Sequence, residues 1–141
     1  MNPKKMIWTA GLLCLALAIG YGSEISIITN PANDTVSLTQ DELRKIFTGK
    51  KRSWQNGNRI MIILMKRGSL HDHFLEEVVK QNSTQFSIAW KKLIFTGKAP
   101  LLNYAQSEEE MVEMVRRYPH AIGYVGPQSD LEGVKTIFIR D

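Results

Sequence analysis

The chain of 141 residues has a single cysteine, Cys14, and it lies in an apolar stretch near the N-terminus. A lipoprotein signal needs a small residue immediately before its cysteine. Leu13 is not small, so lipid anchoring is not expected. Beyond Cys14 the chain can form neither a disulfide nor a thiol nucleophile, and an oxidising compartment permits disulfides without requiring them. No apolar run reaches the ~20 residues of a membrane-spanning helix. The G-x-S-x-G elbow of serine hydrolases is missing. No carboxylates are paired recognisably for acid–base work, because Glu76-Glu77 and the Glu108-Glu109-Glu110 cluster fit exposed helix positions. The segment His71-Asp72-His73 lacks the i, i+4 spacing that lets two histidines on a helix converge on a metal. Without these features, no enzyme activity, catalytic residue, metal or cofactor is expected.

What is present begins with MNPKKMIWTAGLLCLALAIGYGS. Lys4 and Lys5 precede an apolar stretch of about 14 residues, and small residues follow at Gly20 and Gly22, which is the order of a secretory signal peptide. Cleavage after Gly22 leaves residues 23–141 as one domain, and cleavage after Gly20 fits nearly as well. An uncleaved N-terminal anchor is the alternative. About 119 residues remain, the usual size of a domain with one core.

Loss of Lys4 and Lys5 lowers the formal charge from +4 to +2. The remaining charge is unevenly placed. Arg44, Lys45, Lys50, Lys51, Arg52, Arg59, Lys66 and Arg67 follow one another with no Asp or Glu among them. Such a segment either raises the local concentration of anions or forms a solvated surface. Nucleic-acid binding through it, with Trp54 as a stacking residue, is not expected of an exported protein with so small a net charge.

Apolar runs at Glu24–Thr29, Arg59–Met65, Ala121–Val125 and Val134–Ile139 read as strands. The unbroken IMIILM within the second is expected of a strand covered on both faces. Between them lie helical patterns. Thr39 with Glu42 forms a capping box ahead of Leu43, Ile46 and Phe47. Leu70, Phe74, Leu75, Val78 and Val79 follow the break at Gly68-Ser69. Ser83 is the expected N-cap of a helix carrying Phe86, Trp90, Leu93 and Ile94, and Ser107 with Glu110 caps another that ends at Tyr118-Pro119. Strands interleaved with helices predict an α/β domain built on a mixed sheet.

The pentapeptide IFTGK occurs at Ile46–Lys50 and again at Ile94–Lys98. Its flanks do not align at that offset, so it is not part of a larger repeat. A Walker A loop needs a glycine five residues before the Gly-Lys pair and Ser or Thr after the lysine; neither copy has them. A helix stop explains each letter. Ile and Phe complete the apolar face, Gly takes the left-handed conformation, and Lys complements the free carbonyls.

The segment Lys66-Arg67-Gly68-Ser69 joins the buried strand to the next helix. The backbone N–H groups of Ser69, Leu70 and His71 would face outward there, beside the Ser69 hydroxyl and two cations, an arrangement suited to a phosphate-like or carboxylate anion. The alternative is Ser69 as an ordinary N-cap with both cations in solvent.

Three stretches, in order, resemble the phosphate-binding proteins of bacterial phosphate ABC transporters, within the class II periplasmic binding proteins. They are Leu43-x-x-Ile46-Phe47-x-Gly49-Lys50 with Trp54 after it, the strand ending at Gly68-Ser69, and Pro119-His120-Ala121-Ile122-Gly123-Tyr124-Val125. The resemblance implies a single lobe matching roughly the family's second, with a mixed sheet flanked by helices. It also implies a periplasmic, non-catalytic solute-binding function, with phosphate or a similar small anion held at Arg67, Gly68, Ser69, Leu70 and His71. An ABC permease, another periplasmic protein and a second copy of the chain are the implied partners. Leu70 and His71 stand where the family's anion loop has Gly and Thr, and Leu64 and Met65 stand where its arginine lies. Weak binding is therefore expected, and an interaction module that has lost the ligand is the alternative.

Overall fold

The structure is a computed structural model that describes residues 24–141. The signal-peptide expectation falls on residues 1–22 and lies outside the described residues. Among the described residues, no helix is long and apolar enough to cross a membrane.

The strands are β1 (Ser26–Thr29), β2 (Ser37–Thr39), β3 (Met61–Met65), β4 (Leu101–Ala105), β5 (Ala121–Val125), β6 (Lys135–Thr136) and β7 (Phe138–Arg140). The helices are α1 (Gln40–Phe47), α2 (Ser69–Phe74, continued by a π-helical turn over Leu75–Val79), α3 (Ser83–Phe95) and α4 (Glu108–Arg117). A five-stranded sheet has the order β4-β3-β5-β1-β6, and β2 pairs with β7 in a second, two-stranded sheet. β3 is parallel to both β4 and β5, whereas β1 is antiparallel to β5 and β6, so the sheet is mixed as expected.

β3 lies inside the sheet because its residues leave no polar face. Ile62, Ile63, Leu64 and Met65 are all buried, as a strand with both faces covered requires. The chain leaves β3 sideways to β4, then crosses back over it to β5. Right-handed crossovers running in opposite directions put their helices on opposite faces. Side chains alternating along β5 record this. Tyr124 stacks on Phe74 of α2 at 3.7 Å between ring centroids. At Gly123, on the other face, an added Cβ would lie 2.5 Å from Met111 Sδ of α4, so glycine lets that helix approach. α1 joins the α2 face through Phe47, whose ring meets Phe74 edge-on at 4.8 Å.

Both IFTGK copies are helix stops of the same form. Gly49 N–H bonds Ile46 O and Lys50 N–H bonds Lys45 O; Gly97 and Lys98 repeat the pair on Ile94 O and Leu93 O. The glycines have φ of +79° and +70°, and this bonding pattern is a Schellman motif. The expected apolar face holds only for the first copy. Ile46 and Phe47 are buried, but Ile94 is 55% exposed and Phe95 92%. The copies line one cavity, Thr48, Gly49 and Lys50 facing Thr96 and Lys98, and Trp90 Nε1–H of α3 donates to Phe47 O at 3.1 Å.

Other expectations shift locally. Asn82, not Ser83, caps α3: its Oδ1 accepts from Gln85 N–H while Gln85 Oε1 accepts from Asn82 N–H, a reciprocal pair. Ser107 does cap α4, but Glu110 reaches back to Gln106 N–H, one residue early. The run Val134–Ile139 is not one strand. The chain changes sheets at buried Ile137, whose N–H bonds Ile27 O. β2 and β4 were not expected, because β2 is only three residues long and β4 is an edge strand lacking clean alternation.

Candidate anion-binding site

The site begins where β3 ends. Lys66 N–H still bonds Ala105 O of β4 at 3.0 Å. Gly68 then turns the chain at φ +118°, where an added Cβ would touch nothing, so conformation rather than space selects glycine. Gly68 is the N-cap of α2 and offers no side-chain cap. The first helical bond runs from Asp72 N–H to Gly68 O. The N–H groups of Ser69, Leu70 and His71 precede it and have no partner within the helix. Ser69 is thus the first residue of the helix, not its cap.

Arg67, Gly68 and His71 line a cavity of about 540 Å³ at the carboxyl end of β3. Lys66 joins them from the same turn, Ser83, Ser87 and Lys91 from α3, and Tyr104 from β4. Ser69 and Leu70 line a separate cavity of about 350 Å³ with His73, Glu108 and Gly126. The structure therefore gathers Arg67, Gly68 and His71 and turns Ser69 and Leu70 elsewhere. His71 and His73 face different cavities, in keeping with the spacing argument against a metal pair. Among the described residues, no group of three His, Cys, Asp or Glu side chains is placed to hold a metal ion.

His71 is fixed by a residue far away in sequence. Tyr124 Oη accepts a bond from Met65 N–H at 2.9 Å and lies 2.6 Å from His71 Nδ1. The roles in that contact follow the imidazole tautomer: with the proton of neutral His71 on Nε2 the phenol O–H donates to Nδ1, and with it on Nδ1 the phenol oxygen accepts a second bond. Burial holds the His71 pKa below its ordinary value, opposed by the nearby Asp72 carboxylate. Burial raises the Tyr124 phenol, against the bond from Met65 N–H. The pair is neutral near neutral pH, so His71 can offer a hydrogen bond but not a charge.

The cations carry the charge. Among the described residues, no carboxylate lies within ion-pair distance of Lys66, Arg67 or Lys91, whereas the basic segment upstream is partly compensated. Asp41 takes Lys45 at 2.8 Å and Arg44 at 3.3 Å, and Glu42 takes Lys51 at 3.5 Å. These partners sit just ahead of the segment that lacks acids. His120 acts through its backbone, its carbonyl accepting from Trp54 Nε1–H and Met61 N–H.

Sequence reasoning missed Tyr124 and the contribution of α3. The spacing of Ser83, Ser87 and Lys91, four residues apart on one helical face, was a usable signal. Nothing local connected Tyr124 with His71.

A mixed α/β sheet with helices on both faces, and a cleft at the carboxyl end of β3, is a fold like that of one lobe of a class II periplasmic binding protein. Solved structures that share this fold include phosphate receptors. An ABC-type phosphate transport receptor from Vibrio cholerae matches with a TM-score of 0.62 and 18% identity, over 84% of this chain and 48% of the receptor. PstS from Borrelia burgdorferi gives 0.62 and 17% over 83% and 47%. A putative phosphate ABC transporter substrate-binding protein from Clostridium perfringens, solved with bound phosphate, gives 0.60 and 19% over 82% and 44%. The chain thus spans less than half the length of these receptors, and the likeness is one of fold. No protein-family model matches the sequence, and no curated protein does.

Proposed function

We propose that the protein is an exported, non-catalytic solute-binding protein of the periplasm that holds phosphate or a similar small anion weakly. Arg67, Gly68 and the His71 amide and ring are the proposed ligands at this cavity, with an ABC permease as the proposed partner. The observation that carries this reading is the cavity at the end of β3, where Lys66, Arg67 and Lys91, with no carboxylate in ion-pair distance among the described residues, adjoin Gly68 and His71. Weakness follows from exposure: Lys66 and Arg67 stand in solvent, where an ion pair contributes about 1 kcal/mol or less.

Isothermal titration with phosphate, sulfate and a dicarboxylate tests it. Dissociation constants on the order of 0.1–10 mM are expected, with Arg67→Ala weakening binding about fivefold. Absence of binding by all three at millimolar concentration sinks the reading. Export is checked by N-terminal sequencing of the secreted chain, which should begin at Ser23 or Tyr21.

A second reading, an interaction module covered by another periplasmic protein or a second copy, draws on apolar exposure. Phe95 is 92% and Phe138 70% exposed, and exposed apolar area of this kind marks contact surfaces when it is contiguous. A solution mass above that of one chain, reduced to one chain by Phe95→Asp, would favour this reading.

A further inference from the structure

We propose that the cavity at the end of β3 takes an organic anion with a flat apolar body, a phosphomonoester or a carboxylate, in preference to inorganic phosphate. The proposal rests on the solute-binding reading and names the class of solute.

Size is the first argument. A bare tetrahedral oxyanion occupies about the space of two or three waters, roughly 60–90 Å³. The cavity holds about 540 Å³, within the range of about 300–1,000 Å³ typical of clefts that bind organic ligands. An oxyanion bound at Arg67 and His71 would leave most of it filled with water.

The second argument is the separation of chemistry along the cavity wall. Lys66, Arg67 and His71 come from the β3–α2 turn, while α3 and β4 contribute Phe86, Trp90, Ile94 and Tyr104. Trp90 has its indole N–H occupied by Phe47 O, so it offers the cavity ring surface without a donor. Phe86 lies edge-on to His71 at 6.1 Å, which brings the aromatic wall up to the polar end. Asp72 is the one carboxylate on the lining, against Lys66, Arg67 and Lys91. The balance favours an anionic head group.

Exposure supplies the third argument. Ile94 and Tyr104 both line the cavity, yet they are 55% and 48% exposed. A bare oxyanion would leave that apolar area in water. An aromatic or branched aliphatic body would cover it, gaining in proportion to the area removed from water. Lys91, with its apolar stem and charged tip, can lie along such a body.

The test is isothermal titration of the folded protein with phenyl phosphate, phenylacetate, inorganic phosphate, acetate and phenol. Phenyl phosphate should bind at least tenfold tighter than phosphate, or phenylacetate at least tenfold tighter than acetate; whichever pair shows the gain identifies the head group. Phenol should bind at least tenfold more weakly than the preferred aromatic anion. Tyr104→Ala, at an exposed position on the cavity wall, should lower the ratio of aromatic-anion to bare-anion affinity, both measured in the same variant, at least fivefold. Ile94→Ser is the second variant, should Tyr104→Ala fail to fold. Phosphate binding as tightly as phenyl phosphate, with acetate equal to phenylacetate, would overturn the proposal and leave the solute-binding reading standing. So would phenol matching the aromatic anions, or an aromatic gain that survives both variants. Failure of every anion to bind at millimolar concentration would overturn both.

Discussion

Tyr124 joins three parts of the protein through one side chain. Its ring stacks on Phe74, and its hydroxyl ties the end of β3 to His71. Tyr124→Phe keeps the stack but leaves Met65 N–H and His71 Nδ1 without a partner. The expected loss is about 1–2 kcal/mol by urea denaturation, with the His71 ring nitrogens shifting in nitrogen NMR spectra. His71 also gives stability a pH dependence of known sign. Its folded pKa is depressed by burial, so below its unfolded value of about 6.5 the unfolded chain binds the proton more readily. Stability is fully present above that value and falls as the pH drops through it towards the folded pKa. The thermal midpoint should therefore decline between about pH 7.5 and pH 5.5, and His71→Gln should flatten that decline. Asp41 and Glu42, whose pKa values are lowered by their partners, contribute stability that is lost only in the lower, carboxylate range. An unchanged slope in His71→Gln would show that other groups set the profile.

At the scale of elements, the two helix stops show one local sequence meeting two environments. Gly49 and Gly97 have similar positive φ and identical bonding patterns. An added Cβ at Gly49 would lie 2.9 Å from Leu93 Cδ1, with Pro100 behind it, whereas at Gly97 it meets nothing. Gly97→Ala should cost about 1–2 kcal/mol for the left-handed backbone alone. Gly49→Ala should cost about 1 kcal/mol more, because it must also displace packed side chains. Equal losses on chemical denaturation would mean that Leu93 moves aside freely. The pentapeptide was legible as a helix stop because capping is local, depending on residues within one turn. The fate of Ile94 and Phe95 was not legible, since their exposure depends on what lies across from α3.

At the scale of the whole molecule, charge and apolar area are divided between regions. Cations with no carboxylate partner among the described residues meet exposed aromatic and aliphatic side chains around one cleft, while Glu108, Glu109 and Glu113 gather about a different cavity. Ligand capture at the cleft should accordingly weaken as salt rises, and more steeply for inorganic phosphate than for an aromatic anion that also buries apolar surface. Titration at low and physiological ionic strength reads the difference directly. A similar salt slope for both would place the aromatic body outside the cleft.

The sequence by itself determined the helix stops, the buried strand β3, the α/β class and the turn at Lys66-Arg67-Gly68. Each rests on short-range rules: capping, left-handed glycine and hydrophobic run length. Tertiary structure decided the membership of the site. It brought Tyr124 to His71 and Lys91 and Tyr104 to Arg67, and it turned Ser69 and Leu70 to a different cavity. It also broke Val134–Ile139 between two sheets. Those outcomes depend on strand order and on the direction of crossovers, which the pattern of any one segment does not encode.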